Sequence, residues 1–194
     1  MLRTLGAGAL ADGEQRYSGH AYQDALTVAH EKHVTLVKAH AGLVWSTDDG
    51  VALRFLGPRE PLIGGTRNDI NENSVVFMLE YRRPACARSF KMLFTGDAGA
   101  AAEQRLLASG ADLKADVLKV GHHGSAYGTT PEFVRAVAPK YAIISACRDN
   151  LFGHPAPTTL ETLQQFDTRL YRTDENGAIS ISSDGASIAI QPML

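Results

Sequence analysis

Apolar positions along the chain follow two rhythms. In residues 20–33, Tyr22, Ala25, Leu26 and Ala29 recur at helical spacing, which predicts an amphipathic helix. Residues 43–46 and 51–56 are rich in β-formers and flank Asp49-Gly50, so they predict a hairpin. Gly57-Pro58 ends it, and 60–70, with Pro61, Gly64 and Gly65, reads as a loop. Residues 74–81 are almost continuously apolar and predict a strand buried on both faces. A basic turn over 82–88 leads into the next strand, 89–95. Residues 100–109 have helical composition with Gly110 placed to stop them, and 131–137 begin another helix on Pro131. After a strand at 141–145, a helix is expected over 158–166. Short strands follow at 169–172, 178–182 and 187–190, with turns at Asn176-Gly177 and Asp184-Gly185. Residues 1–19 carry few large apolar anchors and predict a loosely held start, leaving 20–194 as one domain.

Two of these strands end alike. One, 89–95, passes through Thr95-Gly96 to Asp97; the other, a run at 116–120 that reads as a buried strand, passes through Gly121 to His122-His123-Gly124-Ser125. A helix fits between them, and a right-handed crossover returns parallel strands to the same sheet edge. Asp97 and the histidine pair should therefore meet. The strand at 141–145 ends near His154, which would bring another imidazole to that rim. A carboxylate with imidazoles on rigid strand ends suits a divalent metal. If the pair continued the extended strand, its side chains would alternate. One of His122 and His123 would then face metal, and the other would move a proton or contact substrate. The bland alternative for Asp97 is a helix N-cap. Cys147 reads as a small buried residue, and His40 as structural. His30 and His33 stand three apart, not the four that a zinc-binding helix needs, and read as solvated.

Composition narrows this little. The 194 residues, 44% hydrophobic and 21% charged, suffice for a sizeable core, and a net charge of -2 argues against a strongly basic nucleic-acid-coating protein. Cys86 and Cys147 form no C-x-x-C pair, which argues against a cysteine-only zinc site. The apolar run within residues 1–11 is short and weak for a secretion signal, and no run approaches the roughly 20 residues of a membrane span. A soluble chain, in the cytoplasm or periplasm, is the expectation.

The order Asn71-Glu-Asn73-Ser74-Val-Val, Phe94-Thr-Gly-Asp97, Ala115-Asp-Val-Leu-Lys-Val-Gly-His122-His123-Gly-Ser125, Ser145, Asn150-Leu-Phe-Gly-His154-Pro155 and Tyr171-Arg-Thr-Asp174 resembles the metallo-β-lactamase-like domain of ComEC-type DNA-uptake proteins and their stand-alone relatives. The resemblance covers the C-terminal half of that domain, from about Tyr22 onward. It implies an αββα sandwich, here its C-terminal half plus a short N-terminal segment, with metals at the edge between halves. It further implies a metal-dependent hydrolase, with zinc or manganese, two ions in the complete domain, and DNA as a phosphodiester substrate during uptake. On this resemblance Asp97 is the bridging ligand, and His122 and His154 belong to the second half's share of the site. His123 is then assigned to proton transfer, with Asn73 and Ser125 lining the substrate rim.

The H-x-D-x-D-H string of that family's first half occurs nowhere in this sequence. Several ligands are therefore lacking, weak metal binding is expected, and the sheet face that meets the other half should be apolar and exposed. A second reading follows: a non-catalytic half-domain or interaction module. Its partner would be a second copy or the missing half, and a membrane channel would accompany either form. A third reading is an unrelated α/β binding protein with a ligand crevice at the strand ends.

Overall fold

The computed structural model describes residues 3, 4, 6–13, 15, 19–83 and 88–193. Cys86, and with it part of the basic turn at 82–88, lies outside them. In chain order the elements are β1 (Ala9–Asp12), α1 (His20–Glu31), β2 (Thr35–Lys38), β3 (Val44–Ser46), β4 (Val51–Gly57), α2 (Asp69–Glu72), β5 (Val76–Tyr81), β6 (Phe90–Phe94), α3 (Ala100–Ala108) and β7 (Val117–Lys119). A 3-10 turn over Gly121–Gly124 precedes α4 (Pro131–Val137), β8 (Tyr141–Ile144), α5 (Pro157–Gln165), β9 (Arg169–Arg172), α6 (Thr173–Asn176), β10 (Ala178–Ser183) and β11 (Ile188–Met193).

Seven strands form one sheet in sequential order from β3 to β9. The first four are antiparallel, and β6 to β9 run parallel, joined through α3, α4 and α5. The parallel half therefore delivers its strand C-termini to one edge, as the crossover rule requires.

Alternation along the strands sorts side chains into two cores. On one face Val76, Met78, Leu93, Leu118, Val120, Ala142 and Ile144 pack with Leu106 of α3, Phe133, Val134 and Val137 of α4, and Leu163 of α5. Burial of each large side chain there contributes on the order of 1.5–3 kcal/mol. On the other face Phe90, Met92, Val117, Ile143 and Tyr171 are capped by Ile179, Ile181, Ile188 and Ile190 of the β10–β11 hairpin.

The expected bare face is thus only part of the sheet. The hairpin covers β6 to β9, while Trp45, Phe77 and Phe94 remain half-buried, in an aromatic row that also includes buried Phe55. The same partial cover explains why β5 alternates buried Val76 and Met78 with half-buried Phe77 and Leu79, instead of being buried on both faces.

Two short strands had no counterpart in the sequence reading. β1 pairs parallel with β2 across α1, so the expectation of a loosely held start does not extend to residues 9–12. Their anchors are polar: the Tyr22 hydroxyl donates to Asp12 at 2.6 Å, and Gln15 Nε2 donates to the Asn73 carbonyl at 2.8 Å. Among the described residues, no helix is long and apolar enough to cross a membrane.

Candidate functional site

The turn after β6 is built by close approach. Gly96 has φ +56, and a Cβ there would lie 3.0 Å from the Ser74 Cβ, so only glycine lets the turn rest on Ser74. The Ser74 hydroxyl accepts the Asp97 N–H at 3.0 Å. Main-chain bonds then tie this turn to the next: the His122 N–H donates to the Gly96 carbonyl at 3.0 Å, and the Thr95 hydroxyl donates to the Lys119 carbonyl at 2.9 Å. Asp97 does not cap α3, whose N-cap is Gly99 with no side-chain bond. Glu72 takes that work instead, accepting the Ala102 N–H at 2.8 Å. The Asp97 carboxylate is left 45% exposed, with the His123 ring as its neighbour.

His122 and His123 do not continue an extended strand. Both adopt left-handed backbone, φ 46 and 56, inside the 3-10 turn, so strict side-chain alternation is lost. The paired left-handed residues swing both imidazoles to the lip. His123 Nδ1 lies 2.7 Å from the Ser145 carbonyl. A carbonyl only accepts, so Nδ1 carries the proton and the neutral ring keeps its lone pair on Nε2. That Nε2 stands 3.8 Å from Asp97 Oδ1, too far for a hydrogen bond. The Asn71 amide sits 3.4 and 3.3 Å from the two nitrogens of His122, against the ring and committed to neither.

His154 joins them from the third loop, its ring centroid 5.7 Å from that of His122. Its Nδ1 is buried and lacks any hydrogen-bond partner. Burial, reinforced by the neighbouring His122 and His123, pushes its pKa below the usual imidazole value, so the ring favours its neutral, lone-pair-bearing form. Lys119, half-buried behind Asp97, is pushed down by burial while the Asp97 charge opposes the shift.

Asp97, His122, His123 and His154 are therefore brought to one lip. The two residues expected on the substrate rim are not. Asn73 is only 4% exposed, and its amide is spent on the main chain of the 60–70 loop: it accepts the Ile63 N–H at 2.9 Å and donates to the Ile63 and Asp69 carbonyls at 2.8 and 2.7 Å. Ser125 is 2% exposed, its hydroxyl accepting the Tyr127 N–H at 3.3 Å and its carbonyl accepting from Thr159. Asn71 and Lys119 are the polar groups beside the lip that sequence reasoning passed over. Both lie inside strings already singled out, but neither spacing nor residue type marks an amide or a lone lysine as a site.

A divalent ion fits these residues only in part. The orphaned His154 Nδ1 and the free His123 Nε2 are the donor atoms a borderline metal would take. Yet among the described residues no three His, Cys, Asp or Glu side chains are arranged to hold an ion. Cys147 is exposed, against the expectation of burial, and remains a free thiol.

Comparison with known proteins bears on this arrangement. The chain is 34% identical over 157 residues to ComE operon protein 3 of Bacillus subtilis, an alignment covering 81% of this chain and 19% of that protein. It is 31% identical over 144 residues to competence protein ComA of Neisseria gonorrhoeae, covering 74% and 19%. Over the aligned stretch the chain is similar to a segment of these competence proteins. It spans about a fifth of the length of these curated relatives. No family model matches. A solved structure from Thermotoga maritima, ascribed to the Zn-dependent hydrolases of the metallo-β-lactamase superfamily, aligns over 84% of this chain and 70% of its own, with a TM-score of 0.40 and 15% identity. The residues of the lip all lie within the strings that carried the resemblance.

Proposed function

We propose that the lip is one side of the active site of a metal-dependent phosphodiester hydrolase acting on DNA in a competence context. One observation carries the reading: Asp97, His122, His123 and His154, spread over almost sixty positions of sequence, converge on a single strand edge while His154 keeps a buried, unpartnered nitrogen. Asp97, His122 and His154 are the groups assigned to metal. His123, whose tautomer is fixed by the Ser145 carbonyl, is assigned to proton transfer through Nε2. Among the described residues the donors fall short of closing on an ion.

The test is equilibrium dialysis with zinc or manganese followed by nuclease assay on the 194-residue chain and Asp97→Ala. Loss of at least tenfold in metal retention, with an unchanged circular dichroism spectrum, is the expected result. Full retention of metal and activity by that variant would refute the assignment.

A second reading is favoured by the unclosed donor set: a half-site or interaction module that becomes active only with groups from elsewhere, whether a second copy, the rest of a longer protein or a membrane-channel partner. Dialysis separates the two, since an autonomous enzyme retains stoichiometric ion and a half-site does not.

A further inference from the structure

Next to the lip, residues 150–153 present two large apolar side chains to water. Leu151 is fully exposed and Phe152 is 81% exposed, the highest values among the exposed large apolar residues described. The loop that holds them is braced. The Asn150 amide donates to the Cys147 and His154 carbonyls at 2.8 and 2.5 Å, and its oxygen accepts the Phe152 and His154 N–H groups at 3.2 and 2.9 Å. Four bonds from one side chain fix Phe152 outward, so its exposure is a built feature and not slack chain.

The Phe152 ring lies over His154, centroids 5.8 Å apart and planes 21° from parallel. Together with His123, Ser145, Ala146 and Thr173 they wall an open cleft of about 400 Å³. That is room for one planar ring system with its sugar. Several polar wall groups are already engaged: the Thr173 hydroxyl bonds both the N–H and the carbonyl of Ala146, the Ser145 carbonyl holds His123, and the Asn150 amide is spent on its own loop. The cleft therefore offers a flat face more than a hydrogen-bond pattern, which is how a sequence-tolerant stacking site is made. His123 and His154 belong to both cleft and lip, so a group lying in the cleft adjoins whatever ester the lip receives. A second exposed aromatic, Tyr127, two residues beyond Ser125, lies under the Arg67 guanidinium, whose carbon is 4.4 Å from the ring centroid.

We propose that this cleft is a subsite for an unpaired nucleobase flanking the phosphodiester, with Phe152 as its stacking platform. The inference rests on the phosphodiester reading and sharpens it. A base within a duplex keeps its faces stacked on its neighbours and does not enter.

The test is fluorescence anisotropy, without added metal, on the full chain with a dye-labelled deoxythymidine octamer, an abasic octamer of the same length and a duplex. Wild type is expected to prefer the thymidine octamer over the abasic one by about tenfold, within the range of base–aromatic stacking. Phe152→Ala should abolish that preference while leaving abasic affinity unchanged. Phe152→Trp should restore it, with an indole signal, above the Trp45 background, that the oligonucleotide quenches. Equal binding of thymidine and abasic strands by wild type, or an undiminished preference in Phe152→Ala, overturns the subsite alone. Failure to bind any strand, abasic included, overturns the phosphodiester reading together with it.

Discussion

Replacing Asn73 by alanine separates two roles, substrate rim and structural brace, for an asparagine in one of the strings that carried the resemblance. In the structure its side chain makes three bonds of 2.7 to 2.9 Å and is 4% exposed. The alanine variant strands the Ile63 N–H and carbonyl, while the Asp69 carbonyl keeps the main-chain N–H of residue 73 at 3.1 Å. A buried polar group left without a partner costs about 1–3 kcal/mol. One of the two stranded groups is a carbonyl, which tolerates the loss better than an N–H. A total near 3 kcal/mol is the working figure. For a domain of this size each kcal/mol lowers Tm by about 2–4 °C, so the midpoint should fall by about 6–12 °C.

Thermal and urea denaturation followed by circular dichroism read this directly, and the slope of the urea transition checks that the unfolded state is unchanged. Asn73→Asp should fare no better, because it keeps an acceptor for Ile63 but loses both donors and buries a charge. A midpoint within about 2 °C of wild type, coupled to lost oligonucleotide binding, would refute the reasoning and return Asn73 to the substrate rim.

Two further outcomes follow from the same geometry. Gly124→Ala adds a Cβ 2.7 Å from that of Pro155 at a φ of +79, so it should destabilise by about 1–3 kcal/mol in urea titrations and displace His154; an unchanged midpoint would show that the loop yields freely. Burial pushes the Glu103 carboxyl above its usual value of 4.5, against the bonds it accepts from Thr129 and Thr130. A raised folded-state pKa gives stability that is present below about 4.5 and lost as pH rises through the folded value. The deficit of Glu103→Gln relative to wild type should therefore shrink from pH 4 to pH 7.5 in paired urea titrations. A deficit that widens with pH would mean that the hydrogen bonds outweigh burial.

Periodicity located most of the large sheet and its helices because those elements bury one face, and burial is what apolar spacing records. The helix at α1, the hairpin of β3 and β4, and the parallel run from β6 to β9 all fall within a residue or two of their expected ends. β1 and β2 escaped because they are held by main-chain pairing and by Tyr22 and Gln15, with little apolar surface to leave a rhythm. Within the lip, the convergence of Asp97 with the histidines followed from strand polarity alone. The directions of the side chains did not. Left-handed φ at His122 and His123 is set by main-chain bonds to Gly96 and the cramped fit of Gly124 under Pro155, partners distant in sequence. Asn73 and Ser125 were misplaced for a related reason, since a polar residue in a loop string looks alike whether it faces solvent or satisfies a buried backbone.

The bonds that shape the lip also decide how it can be completed. His122 is fastened to Gly96, His123 to Ser145, and the chain after His154 to Gly124 through the Ala156 N–H at 2.8 Å. Three turns from three strands are thus locked to one another, and each imidazole inherits the rigidity of the sheet behind it. Moving these turns inward around an ion would break main-chain bonds at the strand ends, each worth about 0.5–1.5 kcal/mol net. Additional donors brought to the lip from outside would break none. On the proposed metal-site reading the cheaper route is therefore for further donors to come to the lip, which would tie metal affinity to whatever faces it more than to the mobility of these loops.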